Sequence, residues 1–490
     1  MGSKRQESLG KEIAHYFSSM LLKQIIGLLV AVLRPKFLTP EQFGLFSLLK
    51  IIPNYASYVH LGSSTSARYS IPQMIAEGRK REIAAVEGSI FFGNLGANIL
   101  FILFFIGISW PEAVSPEERT GILAIGMVIL ITWHNDFCVT LLKARQRFDL
   151  VGRTNYLAAT ATFATLPLVY FFEIYGLFVS MITSVLFVAA FLRAPTLVSP
   201  GFKFNWNTYV DLIRKGFPIM ALGVVLMFIR TTDRLIISGF MGNEQLGYYG
   251  VGAMIFNLLM QLPTVSREVI EPRLMQSLSS KTASENLQEF LIRPLINTAY
   301  LMPFLVGGAF FGSPIVISWL LPKYAAGIPA TQILMTGSFF LGLCYITRGI
   351  IVAQNWQLAA LRPAGIVLVV NVLLCATAAY AGFGIEGVAI SSTISLALLF
   401  SLLLRFIQQQ AGYKAANWTR LIFLLALPAT LMYLLLVSYR MLAGSQWSSL
   451  SANALGLVVY MPIVALVTLL AISRFPELEG LRFWKKHSES

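Results

Sequence analysis

Long runs of apolar residues, each about 20 long and separated by short polar segments, recur along this chain from end to end. A run of that length spans the hydrocarbon of a bilayer as one helix, whereas membrane barrels show alternating segments of about ten. Hydropathy predicts helices over 14–33, 43–63, 89–110, 120–142, 150–172 and 176–197, then over 217–240, 247–270, 294–321, 325–351, 364–382 and 385–404, and finally over 420–441 and 453–473. The expected fold class is therefore an all-α polytopic membrane protein with about fourteen transmembrane helices: two pseudo-symmetric six-helix lobes and two C-terminal helices.

Within this pattern the span from Phe217 to Phe240 is anomalous, because Arg230, Asp233 and Arg234 sit in its middle. Three such charges near a helix centre cost roughly 7–10 kcal/mol on an insertion scale, and the twelve Leu, Ile, Phe and Val residues of the span return only about 4–7 kcal/mol. Lipid is thus not the surroundings expected for these groups. Arg230 and Arg234 are four apart with Asp233 beside them, so one helix face carries the ionic group. Two readings follow: a wall of a wet cavity, where intramembrane charges concentrate, or an internal Arg–Asp pair that locks packing. One Asp does not neutralise two Arg, which favours the cavity.

Other spans carry polar groups too. Ser19, Lys23, Gly27 and Ala31 recur every four residues, placing Lys23 on a small-residue stripe near mid-membrane. Ser47, Lys50, Asn54 and Ser57 form a second stripe, with Pro53 free to bend it, and Asn257, Gln261 and Thr264 a neutral third. Lys23, Lys50, Arg230 and Arg234 fall two in each lobe, so a cavity shared by the lobes would be cationic and suited to phosphate. Against this, Lys23 could snorkel to headgroups or pair with Asp136, Lys50 could snorkel outward, and the polar stripes could be interhelical hydrogen bonds. His134 and Asp136 are candidates for a proton site, and His60 reads as an interface residue.

Composition agrees: 56% of the 490 residues are hydrophobic and 12% charged, with a mean hydropathy of +0.70. The net charge of +14 is explained by topology without nucleic acid. If the first residues are cytoplasmic, twenty-eight Lys and Arg fall on that side and five on the other, a positive-inside bias that puts both termini in the cytoplasm. Cys138, Cys344 and Cys375 lie in apolar runs without metal-ligand spacing. No cleaved signal peptide, P-loop, nucleophile elbow or kinase signature is present, so neither an enzyme nor a cofactor is expected. Arg68 to Gly88 mixes charges with apolar positions and reads as an amphipathic helix on the inner surface. Glu271 to Arg293 contains a Ser/Thr-rich turn and a short helical stretch.

The chain also repeats itself. Glu41-Gln42-Phe43-Gly44-Leu45-Phe46 returns 203 residues later as Glu244-Gln245-Leu246-Gly247-Tyr248-Tyr249, and Gly176, Ser180 and Ser184 return 211 residues later as Gly387, Ser391 and Ser395. Duplication of a six-helix unit gives parallel repeats. The expected division is residues 1–197 for the first lobe, 198–216 for a cytoplasmic linker rich in turn formers, 217–405 for the second lobe, and 406–490 for the last two helices and a cytoplasmic tail.

Leu38-Thr39-Pro40-Glu41-Gln42-Phe43-Gly44-Leu45-Phe46 leading into Leu61-Gly62-Ser63-Ser64, and Thr232-Asp233-Arg234-Leu235-Ile236-Ile237-Ser238-Gly239 leading into Leu246-Gly247-Tyr248-Tyr249, resemble the polysaccharide transporter family of the multidrug/oligosaccharidyl-lipid/polysaccharide superfamily, which includes O-antigen flippases. The resemblance implies a pair of six-helix lobes, alternating access, and translocation of a polyprenyl-pyrophosphate-linked oligosaccharide across a bacterial inner membrane. Asp233 and Arg234 carry over with the motif, while Lys23 and Lys50 rest on their helix faces. Expected partners are the lipid-linked glycan, membrane lipid, a coupling H+ or Na+ and a polysaccharide polymerase complex. Alternatives are an ion-coupled exporter of small drugs, for which cavity carboxylates should dominate, and a non-transporting scaffold of polysaccharide assembly.

Overall fold

The computed structural model describes residues 2–112, 115–192, 203–261, 291–411, 415–443 and 449–474. The stretch 271–290, Thr264, the first part of the linker after Arg193 and the basic C-terminal tail lie outside the described residues. Among the described residues every regular element is helical. The chain is an all-α polytopic membrane protein, as its hydropathy predicts.

The first half contains α1 (Gly2–Phe37), α2 (Pro40–Leu49), α3 (Ile51–Ala56), α4 (Ser63–Ala76), α5 (Lys80–Glu112), α6 (Pro116–Ala144), α7 (Phe148–Ala164) and α8 (Leu166–Phe191). The second contains α9 (Trp206–Ile229), α10 (Thr232–Leu259), α11 (Arg293–Leu320), a 3-10 turn (Pro322–Gly327), α12 (Ile328–Ala353), α13 (Gln357–Tyr380), α14 (Gly384–Ala411), α15 (Ala415–Ala443) and α16 (Leu450–Arg474). Ten stretches among the described residues are long and apolar enough to cross a membrane, and Trp206–Leu259 is counted as one of them. The expected spans over α1, over α2 with α3, and over α7 are not among the ten. With the division of Trp206–Leu259 at Gly242, these account for the difference from fourteen.

Breaks inside apolar stretches explain much of that difference. Lys50 interrupts the span of α2 and α3. Glu173, at φ 49° and ψ −124°, folds the chain between the expected spans 150–172 and 176–197, and Gly242, at φ 84°, separates 217–240 from 247–270. Positive φ costs glycine little, which suits Gly242 to its corner. At Gly176 the chain passes so close to the Leu168 carbonyl that no side chain fits. Helix starts are written locally: Thr39 with Gln42 and Ser115 with Glu118 form capping boxes, each followed by proline at the first helical position.

The chain divides into two compact units, Met1–Val224 and Val225–Ser490. In the first, α1 packs on α7, α6 on α8 and α5, and α4 on α5 and α6. The Arg68–Gly88 stretch is helical in α4 and in the start of α5, but its Ile71 and Val86 are buried, with Ala67, Ile90, Phe137 and Leu141, in one core. Protein, not headgroups, covers these positions. The first part of α9 belongs here too, because Gly62 and Gly216 bring two backbones together where a Cβ on either would overlap the other chain. Glu87, with no exposed surface, accepts from Arg145 at 2.6 Å. In the second unit α14 packs on α12 and α13, and α11 on α12, α15 and α16. Ser180 bonds back to Thr165 at 2.7 Å, and Ser391 to the Leu374 carbonyl at 3.2 Å, so these repeated serines each tie a helix to the span before it.

Candidate functional site

In the second unit the three central charges lie at a helix break. The sequence Arg230-Thr231-Thr232-Asp233 is a poor helix interior and a good helix start, since Thr and Asp side chains compete for backbone groups. Accordingly α9 ends at Ile229 and α10 begins at Thr232. Carbonyls freed at the end of α9 are met by side chains: Thr231 Oγ1 donates to Met227 O at 2.9 Å, Thr232 Oγ1 to Phe228 O at 2.8 Å, and Arg234 Nη2 to Arg230 O at 3.1 Å. Asp233 sits in the first turn of α10, where the helix dipole favours an anion, and the cation of Arg234 meets the last carbonyls of α9. A discontinuous helix is tolerated in a membrane when its ends are satisfied inside protein.

Asp233 is buried and fully engaged. Its Oδ1 accepts the Arg234 N–H at 2.8 Å and lies 3.9 Å from Arg234 Nε, and its Oδ2 accepts the hydroxyl of the fully buried Tyr249. Arg230 donates through Nη1 to Tyr345 Oη at 2.9 Å and through Nη2 to Asn257 Oδ1 at 2.8 Å. Both guanidiniums thus have protein partners, and both Nε atoms are buried without one among the described residues. The space beside them, lined by Ile229, Phe256, Leu334 and Ser392, is about 30 Å³. It admits water but not a sugar. Asn257, from the third polar stripe, joins the cluster. Tyr249 lies in the repeated motif Glu244–Tyr249, which gave it no role, and no local pattern marks Tyr345.

The first unit holds Lys23, Lys50, His134 and Asp136. Lys23 Nζ donates to Asn155 Oδ1 of α7 at 3.3 Å, and Asn155 Nδ2 donates to Ser19 Oγ at 3.4 Å. Lys50, exposed at the break between α2 and α3, places Nζ 5.7 Å from the centre of the Phe46 ring. Asp136 faces a cavity of about 320 Å³ walled by α3, α4, α5 and α6. His134 is not in its lining; that ring lies against Asn135 Oδ1 at 3.4 Å and Cys138 Sγ at 3.8 Å. The structure does not bring His134 and Asp136 together, because two residues along a helix is about 200° around it.

Asp136 shares its cavity with two cations, Arg68 and Lys143, and with the His60 ring. Lys23, Lys143 and Arg68 are the cations whose field reaches its carboxylate. Along the chain Arg68 and Lys143 are two of the twenty-eight basic residues of the positive-inside bias. A signal was available on α6, where Trp133, Asp136, Thr140 and Lys143 follow one helical face. His60 also lines the cavity, with Nδ1 accepting the Gly62 N–H at 2.9 Å. None of these groups forms a metal cluster; among the described residues no three His, Cys, Asp or Glu side chains are grouped to hold one.

Charged groups at broken helices and in a polar cavity, inside an otherwise apolar helical chain, define a membrane protein of the transporter class. The fold is similar to that of a lipid II flippase MurJ in an inward closed conformation, at TM-score 0.66 and 16% identity over 94% of this chain and 99% of that one. It is similar as well to an inward-facing multidrug resistance MATE family transporter of the MOP superfamily, at TM-score 0.62 and 13% identity over 80% and 94% of the two chains. Residues 34–329 match the family model described as polysaccharide biosynthesis protein, and the chain belongs to that family. A Shigella flexneri protein carrying the provisional name O-antigen transporter is 22% identical over 325 residues, 63% of this chain and 76% of that protein. Family and fold together support a membrane flippase or transporter in polysaccharide biosynthesis.

Proposed function

We propose that the chain is a flippase that moves a polyprenyl-pyrophosphate-linked oligosaccharide, an O-antigen or related repeat unit, across a bacterial inner membrane by alternating access, without covalent chemistry. The observation that carries this reading is the net-positive cluster at the α9–α10 break, two arginines to one aspartate within an apolar stretch. Arg230 currently donates to neutral oxygens of Tyr345 and Asn257. A phosphate is a stronger acceptor than either, so a pyrophosphate can displace them at one guanidinium. Lys23 and Lys50 are the proposed cations of the first lobe, and Asp233 orients the arginines. The lobes are residues 1–197 and 217–405, both termini face the cytoplasm, and coupling to H+ or Na+ runs through Asp136 with His134 nearby in sequence. A polymerase complex is the proposed downstream partner.

Purified protein in liposomes, given a fluorescent lipid-linked oligosaccharide, tests the reading. Arg230→Ala and Arg234→Ala should reduce flipping more than they reduce protein yield, and the Lys variants should retain part of it, because charge survives while the bidentate geometry is lost. Wild-type flipping by both Ala variants at equal protein would overturn the anion site. The exporter alternative shares the fold, but its expected cavity carboxylates are outnumbered here: Arg68 and Lys143 share the cavity with Asp136. Efflux of a cationic dye with no flipping of the lipid-linked glycan would replace the flippase with that exporter.

A further inference from the structure

The cavity of the first unit is far larger than the space at the arginine cluster, about 320 Å³ against about 30 Å³, and the proposed pyrophosphate site does not use it. Its volume is at the lower end of small-molecule sites, which run from about 300 to 1,000 Å³, so it suits one sugar ring with its substituent rather than a whole repeat unit.

Its wall is built from groups that hold one another. Asn94 is held on three sides: Ser63 Oγ donates to its Oδ1 at 2.7 Å, Tyr209 Oη does so at 3.2 Å, and its Nδ2 donates to Ser64 Oγ at 2.9 Å. Asn98 Nδ2 donates to the Asn94 carbonyl at 2.8 Å, which leaves its own Oδ1 to accept. The Trp133 ring is braced by Phe91 at 4.9 Å between ring centres, while its indole N–H is buried without a partner among the described residues. Because His60 Nδ1 accepts a backbone N–H, its Nε2 is the nitrogen that carries a proton to donate. Neither the Arg68 guanidinium nor the Asp136 carboxylate makes a hydrogen bond among the described residues, though both line the cavity.

We propose that this cavity binds a glycosyl phosphate: Arg68 and Lys143 take the phosphate, Asp136 and Asn98 accept from sugar hydroxyls, and Trp133 presents its indole to the ring. The mixture of groups selects this chemistry. Two cations and a neutral imidazole around one carboxylate do not make a site for a bare cation, and charged walls reject an apolar ligand. An inorganic anion alone would leave Asp136 facing it, whereas a polyhydroxy ring supplies the donors that Asp136 needs. Arg offers phosphate a planar fork and Lys a point charge, a combination that can hold the two free oxygens of one phosphate. This assignment rests on the flippase reading for the source of the ligand, a sugar next to the lipid-linked phosphate. The binding itself stands apart from transport.

The test uses the full chain in detergent, with N-acetylglucosamine 1-phosphate, inorganic phosphate and N-acetylglucosamine as separate probes, read by intrinsic fluorescence and calorimetry. The sugar phosphate should bind at least about tenfold more tightly than either other probe. Arg68→Ala and Lys143→Ala should each weaken it about tenfold or more, with Arg68→Lys intermediate. Asp136→Asn should bring its affinity toward that of inorganic phosphate, and Trp133→Phe should remove most of the fluorescence change. Arg68 and Lys143 are exposed rather than core side chains, and a Thr140→Phe variant, which fills the cavity from α6, gives an independent loss of binding. Unchanged affinity in Arg68→Ala and Lys143→Ala, equal affinity for inorganic phosphate, or binding that survives Thr140→Phe each overturns the assignment. Competition by a short-chain polyprenyl-pyrophosphate sugar identifies the lipid-linked source, and its failure while the soluble sugar phosphate binds shifts the source to a soluble ligand. If binding holds and no glycan is flipped in liposomes, the flippase reading falls and this site remains.

Discussion

Asp233→Ala is the perturbation that most directly measures what holds the α9–α10 break together. The carboxylate receives the Tyr249 hydroxyl and the Arg234 N–H, and its Oδ1 lies 3.9 Å from Arg234 Nε. Removing one partner of a buried ion pair costs about 3–5 kcal/mol, because the remaining charge stays buried. Part of that figure is the orphaned Tyr249 hydroxyl, about 1–3 kcal/mol on its own. Neutral interhelical bonds in membranes average only about 0.6 kcal/mol, so the charge of the acceptor decides the size of the effect. Asp233→Asn keeps an oxygen for Tyr249 and should lose about half as much, roughly 2 kcal/mol. Tyr249→Phe should cost about 1.5–3 kcal/mol in the wild type and much less beside Asp233→Ala, a coupling within the 0.5–3 kcal/mol range of contacting pairs. Thermal unfolding in detergent, at matched protein and lipid, reads the order wild type, Asp233→Asn, Asp233→Ala. Equal stability of Asp233→Ala and wild type, or a Tyr249→Phe cost that is the same in both backgrounds, refutes the reasoning. On the proposed function, Asp233→Asn also weakens substrate binding, measurable as a raised half-saturation in flipping.

Three further expectations follow from other parts of the chain. Gly216→Ala should leave little monodisperse protein on size exclusion, since its Cβ overlaps the Gly62 backbone, whereas Gly27→Ala, with open space around it, should behave as wild type. Thr120→Cys should react with an impermeant thiol reagent on intact cells and Asn207→Cys should not; Cys138, Cys344 and Cys375 are buried and give little background, and the reverse pattern would invert the orientation. Asp136→Asn should remove the response of flipping to a proton or sodium gradient, and a full gradient response in that variant would exclude Asp136 from coupling.

Hydropathy alone determined the helical class and most of the spans, because a backbone in lipid must satisfy its hydrogen bonds within each segment. The capping boxes at Thr39 and Ser115 are equally local, set by side chains that reach their own backbone, whereas the break before Thr232 divides the span 217–240 that hydropathy predicts as one helix, so Arg230 and Arg234 do not share one helix face. Periodicity could place Asp136 on a face of α6 but not choose what the face meets. That choice depended on which helices pack together: α4 and α6 put Arg68 and Lys143 around Asp136, though 68 residues separate Arg68 from Asp136 along the chain. In the same way Arg230 acquired Tyr345, 115 residues away, and Asp233 acquired Tyr249, so charges that the sequence presents as open to a substrate are partly occupied by the protein itself. An intramembrane charge must find a partner somewhere in its bundle, and only the packing of distant helices decides which one it finds.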